Sequence, residues 1–170
     1  MTDALDTVMA TLEARWLRRV ATIAGGRIDL LAGGQVAAHA SVREHLYGPG
    51  ASGGSEHLAD LIAPLEVAGG LDWRPRPGVR LHERLALPLA GVVMRTPYGG
   101  LKRIPDVRFA APGEILGLHH SLAVERDLGP RAALRAAWAF ALLRHDEPRE
   151  VRFAGHRLTA AAVVRWGGAP

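Results

Sequence analysis

Val79-Arg80-Leu81-His82-Glu83-Arg84-Leu85-Ala86-Leu87 alternates along most of its length. Val79, Leu81, Leu85 and Leu87 fall on one side of an extended chain, and Arg80, His82 and Arg84 fall on the other. Side chains of a strand point to opposite faces in turn, so this period of two reads as a strand with one apolar and one polar face. Downstream, 91–96 reads as a short second strand and Pro97-Tyr98-Gly99-Gly100 as a turn. Pro105 makes the next segment an edge strand or a loop leading into 107–110, Pro112-Gly113 turns the chain, and 115–124 supplies a further strand. Connections this short join antiparallel neighbours.

Upstream of this block, 27–31 and 35–42 flank Gly33-Gly34, a pair that suits a tight hairpin turn. A Gly/Pro-rich loop over 48–54 leads to Ser55, which caps a short helix carrying Leu58, Leu61, Ile62 and Leu65 and cut short by Pro64. Residues 73–78 read as a turn-rich connector. At the start of the chain, Leu5, Val8, Met9, Leu12, Trp16, Val20 and Ile23 have the spacing of one helical face, with Asp3 and Asp6 leading and Gly25-Gly26 as the stop. Near the end, Gly129-Pro130 precedes 132–143, where every residue but Arg135 is apolar, which predicts a buried, alanine-rich helix. A closing hairpin around Gly155-His156 completes an α+β fold. Residues 1–170 form a single domain, with a mainly antiparallel sheet packed between an amphipathic N-terminal helix and a buried C-terminal one.

The composition, 48% hydrophobic and 22% charged over 170 residues, belongs to a globular chain. There is no cysteine, which excludes disulfides, thiolate metal sites and cysteine nucleophiles. The N-terminus places acids where an export signal carries positive charge, and 132–143 is too short to cross a bilayer, which takes about 20 residues. The expectation is a soluble, cytoplasmic protein without membrane contact. Lys102 is the sole lysine, so the formal charge of +4 is carried by arginine. The bland account is a GC-rich genome; the functional account is planar recognition of carboxylates or phosphates.

Two groups of residues carry candidate chemistry. In Gly117-Leu118-His119-His120-Ser121-Leu122-Ala123-Val124-Glu125, strand geometry puts His119, Ser121 and Glu125 on one side. A histidine and a carboxylate on one face are a candidate acid–base pair, and Ser121 a candidate ligand to a substrate oxygen. The ordinary reading is a polar edge. In the second group, Arg80, His82 and Arg84 form a row suited to an anion, joined by Arg95; the ordinary reading is a solvated sheet face. Glu83 shares the side of Val79, Leu81, Leu85 and Leu87. If that side is the core, Glu83 is a buried acid at a cavity and the leading catalytic candidate.

From Asp72 to Arg108 the chain carries Arg74, Arg76, Arg80, Arg84, Arg95, Lys102, Arg103 and Arg108 against Asp72, Glu83 and Asp106. Few aromatics accompany them, which argues against nucleic acid. No phosphate-binding loop, nucleophile elbow or metal-ligand spacing is present, so no metal and no cofactor is expected. Two functions follow. One is a small-molecule-binding protein or small enzyme that uses acid–base chemistry on an anionic or carbonyl-containing metabolite. The other is a non-catalytic accessory or assembly subunit that docks on a partner protein through its basic middle segment. A homo-oligomer is compatible with either.

Overall fold

A computed structural model describes residues 5–46, 55–95, 106–145 and 151–164. Strand is the only regular structure among them: β1 (Leu5–Ile23), β2 (Ile28–Leu46), β3 (Ser55–Arg76), β4 (Val79–Arg95), β5 (Asp106–Ala110), β6 (Ile115–Asp127), β7 (Ala132–His145) and β8 (Val151–Val164). All join one antiparallel sheet in the order β1-β2-β3-β4-β6-β7-β8, with β5 on β4. The expected α+β class is therefore corrected to all-β.

The three expected helices are strands. β1 replaces the N-terminal helix because Leu12, Trp16 and Val20 are four apart, a spacing common to one helix face and one strand face. Ala10 and Ala14 complete the strand face. The span from Ser55 lies in the 22-residue β3, where Pro64 is buried. Over 132–143 both faces of β7 are apolar, a pattern that does not distinguish strand from helix. The glycines expected to turn the chain run straight through strands, Gly33-Gly34 in β2 and Gly155 in β8. Gly34 lies opposite Trp16, and a Cβ on it would sit 2.5 Å from the indole. Glycine here lets the ring lie over the backbone.

At one end the connections are tight: Ala24, Gly25 and Gly26 have positive φ, Gly78 turns β3 into β4, and four residues join β6 to β7. The loop expected over 48–54 and the turn over 97–100 lie outside the described residues. β5 and β6 run in the same direction beside β4 and act as one interrupted strand. Gly91 pairs with Ala110 and Ala86 with His119, so the turn at Pro112-Gly113 is an insertion between them.

The sheet is rolled, with opposite walls touching across its inside. His119 on β6 meets Gln35 on β2 and Glu66 on β3, and the His39 ring lies 4.9 Å from Phe153 on β8. β1 and β8, the two ends of the sheet, face each other through Glu13 and Arg157 at 3.8 Å. Ile62, Val93, Ala110, Ile115 and Leu143, with Phe153 against them, make the one packed apolar cluster of buried residues.

Elsewhere the interior mixes small apolar residues, Ala37, Ala68, Ala86, Ala123 and Ala133, with many polar ones. Asp29, Gln35, His39, Asp60, Glu66, Arg95, His119, Glu125 and His145 are all buried. The outward side chains are mostly apolar, among them Leu12 (76% exposed), Phe109 (69%) and Leu158 (82%). The alternation read in 79–87 is present, and its apolar face points out. No helix among the described residues is long and apolar enough to cross a membrane.

Candidate functional site

Long strands of alternating character stack polar side chains inside the roll. Near the tight turns, Arg74 pairs with Asp29 at 2.9 Å, and Thr22 donates to the same carboxylate at 2.6 Å. Arg80 bridges Glu125 and Asp127, both at 3.3 Å. One layer further in, Asp72 receives His82 Nδ1 at 2.7 Å and the Arg84 guanidinium. Burial pushes the Asp72 carboxyl up, but the His82 and Arg84 hydrogen bonds and their charge outweigh it and hold the group below its ordinary value.

The middle layer carries the most chemistry. His119 Nδ1 lies 2.7 and 2.8 Å from the two oxygens of Glu66, which is 1% exposed. Gln35 donates to the same carboxylate at 2.7 Å, and Arg15 donates to the Gln35 carbonyl. His39 lies 5.0 Å from the His119 ring and keeps Nδ1 3.3 Å from Thr11 Oγ1. Burial, and then the charge of His119, lower its pKa to about 4. The Nε2 atoms of His39 and His119 are both buried without a hydrogen-bond partner among the described residues.

Both histidines line a cavity of about 380 Å³ at the β1–β8 seam. Arg15, Arg135 and Arg157 line it with Glu13 as the one acid, and Phe153, Ala139 and Ala141 give it an apolar side. The size suits a small ligand. Small residues on the inner faces of β7 and β8 leave this space open. No group of three metal-ligating side chains occurs among the described residues.

The candidates read from sequence are distributed as follows. His119 and Ser121 line the cavity. Glu125 shares their face but pairs with Arg80, six residues along the strand, about 20 Å from His119 at the strand rise. His119 takes Glu66 instead. Arg80, His82 and Arg84 form one row, inside the roll and paired with acids. Arg95 is buried with a terminal nitrogen 2.9 Å from His145 Nδ1. Glu83 is on the outer face, its side chain 54% exposed, 3.2 Å from His120.

Gln35, His39 and Glu66 were not singled out by the sequence. Their signal was parity: in 60–67, Asp60, Ile62, Pro64 and Glu66 alternate with Leu61, Ala63, Leu65 and Val67. The chain is thus a rolled antiparallel sheet with an ionic interior. Comparison with family models, curated proteins and solved structures finds no match to it.

Proposed function

We propose that the protein binds a small organic anion in the cavity at the β1–β8 seam and exchanges a proton with it through Nε2 of His119. The observation that carries this reading is the pair of buried imidazoles, His39 and His119, whose Nε2 atoms have no partner among the described residues, beside a cavity edged by three arginines. A buried polar atom without a partner costs about 1–3 kcal/mol, which a ligand atom recovers. With Nδ1 held by Glu66, the proton that comes and goes at His119 is the one on Nε2. Arg135 offers a planar donor to a carboxylate, Arg15 and Arg157 being shared with Glu13, and Phe153 with Ala139 and Ala141 takes a hydrocarbon part. Arg80 and Arg84, two of the arginines that the accessory-subunit reading would use for docking, are paired with internal acids, which favours the ligand-binding reading.

The test is an NMR titration of the imidazole resonances with hexanoate and with benzoate. Binding shifts His39 and His119 together, and His119→Gln weakens it about tenfold, a loss near 1.4 kcal/mol. His82→Gln, remote from the cavity, leaves it unchanged. Imidazoles that stay fixed at millimolar anion would remove the proposal.

A further inference from the structure

The outward face of the roll has no counterpart in a protein that meets water on that side. On β2 every outward position from Ile28 to Val42 is apolar, and on β3 every one from Leu61 to Trp73. β1, β4, β6, β7 and β8 continue the same face round the sheet. Apolar surface left in water forfeits about 25 cal/mol per Å², while each buried ion is costly to desolvate. Buried charged groups such as Asp29, Glu66, Arg95 and Glu125, beneath a largely apolar exterior, reverse both preferences. We propose that this face is solvated by lipid hydrocarbon and that the chain crosses a bilayer with its strands.

Three further features select lipid over a protein partner. The apolar positions run round the rolled sheet, where one partner would cover one side. The lengths fit: fifteen residues of β2 span about 46 Å at about 3.3 Å each, and about 33 Å when tilted about 45°, against an apolar band of about 25 Å. β1 to β4 have 17 to 22 residues, against roughly 3–10 for ordinary strands. The described connections at one end are also tight: two to four residues close β1–β2, β3–β4 and β6–β7. Short turns on one side are a habit of membrane barrels.

Among the described residues the charged outward ones keep to the rims. Arg18, Glu83, Arg126, Arg144 and Arg152 each lie within six residues of a strand end. His120 and His156 lie further in, each against the Trp138 ring, at 5.6 and 5.8 Å. Hydrocarbon tolerates no open sheet edge, so in the bilayer the β1 and β8 edges must be covered. They already face each other across Glu13 and Arg157. The expectation of a chain without membrane contact rested on helices and does not reach strands.

The experiment refolds the full chain from urea with and without vesicles of didecanoyl phosphatidylcholine. A parallel set contains lipid brominated on its acyl chains. Circular dichroism reports the sheet, and tryptophan quenching reports contact of the outward indoles, Trp16, Trp73 and Trp138 among them, with the chains. The expected result is a sheet that forms with vesicles and not in plain buffer, with emission quenched by the bromines. Leu65→Arg, in the apolar band, cuts the inserted fraction at least about tenfold, while Arg126→Lys at the rim leaves it unchanged. A folded monomer in lipid-free buffer overturns the proposal. So does a stable assembly in that buffer, which assigns the face to further copies of the chain, and so does insertion without quenching.

Discussion

His119 Nδ1 sits between the two oxygens of Glu66, 2.7 and 2.8 Å away, across the inside of a rolled sheet from a strand two places along. Gln35 ties the same carboxylate to β2. One acid therefore pins three strands, β2, β3 and β6. Glu66→Leu removes the charge that both partners were placed to meet and leaves them buried. Breaking a buried pair from one side costs about 3–5 kcal/mol. Glu66→Gln keeps an acceptor oxygen and is expected to lose less than half of that. Urea unfolding in vesicles followed by tryptophan fluorescence separates the two variants, and equal losses would mean that the carboxylate charge contributes nothing.

Asp72 gives a second, acid-linked contribution. Hydrogen bonds from His82 and Arg84 hold its carboxyl below the ordinary 3.8 despite burial. A depressed carboxyl adds stability that is fully present above its unfolded value and lost as pH falls through the folded one. Wild type should therefore lose stability on acidification below about 4, and Asp72→Asn should lose less over that interval. Unfolding midpoints measured down the acid limb decide it; parallel curves for the two proteins would discard the linkage.

Leu142 and Leu143 are neighbours on β7 with opposite fates. Leu143 is fully buried among Ile62, Val93, Ala110 and Ile115, whereas Leu142 is 40% exposed on the outer face. Leu143→Ala should cost about 2–5 kcal/mol through lost contacts and the cavity left behind. In lipid, Leu142→Ala leaves a methyl among hydrocarbon chains and should cost under about 1 kcal/mol. Denaturation of both variants in vesicles tests the assignment of faces, and a reversed order would invert it.

The alternation that marks a strand was legible in 79–87, and β4, β5 and β6 follow it. Which face is inside was not legible, because periodicity gives parity and leaves the solvent unnamed. Glu83 shows the consequence. Its placement beside Leu81 and Leu85 was right, and its burial followed only from the assumption that apolar means interior. β1 and β7 were misread for a different reason. Leu12, Trp16 and Val20 satisfy both periods, and a run such as 132–143 satisfies neither in particular. The pairing of His119 with Glu66 joins residues 53 apart, and no local spacing encodes it.

Gly34 and Trp16 make a pair that only glycine permits. A Cβ at Gly34 would meet the indole at 2.5 Å, so Gly34→Ala must push the ring off the strand. Overpacking of this kind costs about 1–3 kcal/mol. In Trp16→Ala the obstruction is gone, and adding Gly34→Ala there should cost little. The double-mutant cycle should therefore return a coupling of about 1 kcal/mol or more, and additive losses would show that the two residues do not meet.

His39 sets the protein's response to mild acid. Burial and the neighbouring His119 lower its pKa from 6.5 to about 4 on folding. Between those values the unfolded chain takes up a proton that the folded chain refuses. Stability is then complete above about pH 6.5, falls as pH drops, and levels off below about 4, with a total loss of about 3 kcal/mol. His39→Leu keeps the site neutral at every pH and should flatten that interval, while changing nothing below it that Asp72 controls. His119→Gln removes the second cause alone, so the His39 titration should move part of the way back toward 6.5. Both shifts are read from the His39 ring resonances in a pH series, and a ring that titrates near 6.5 in the folded wild type would contradict its burial against Phe153.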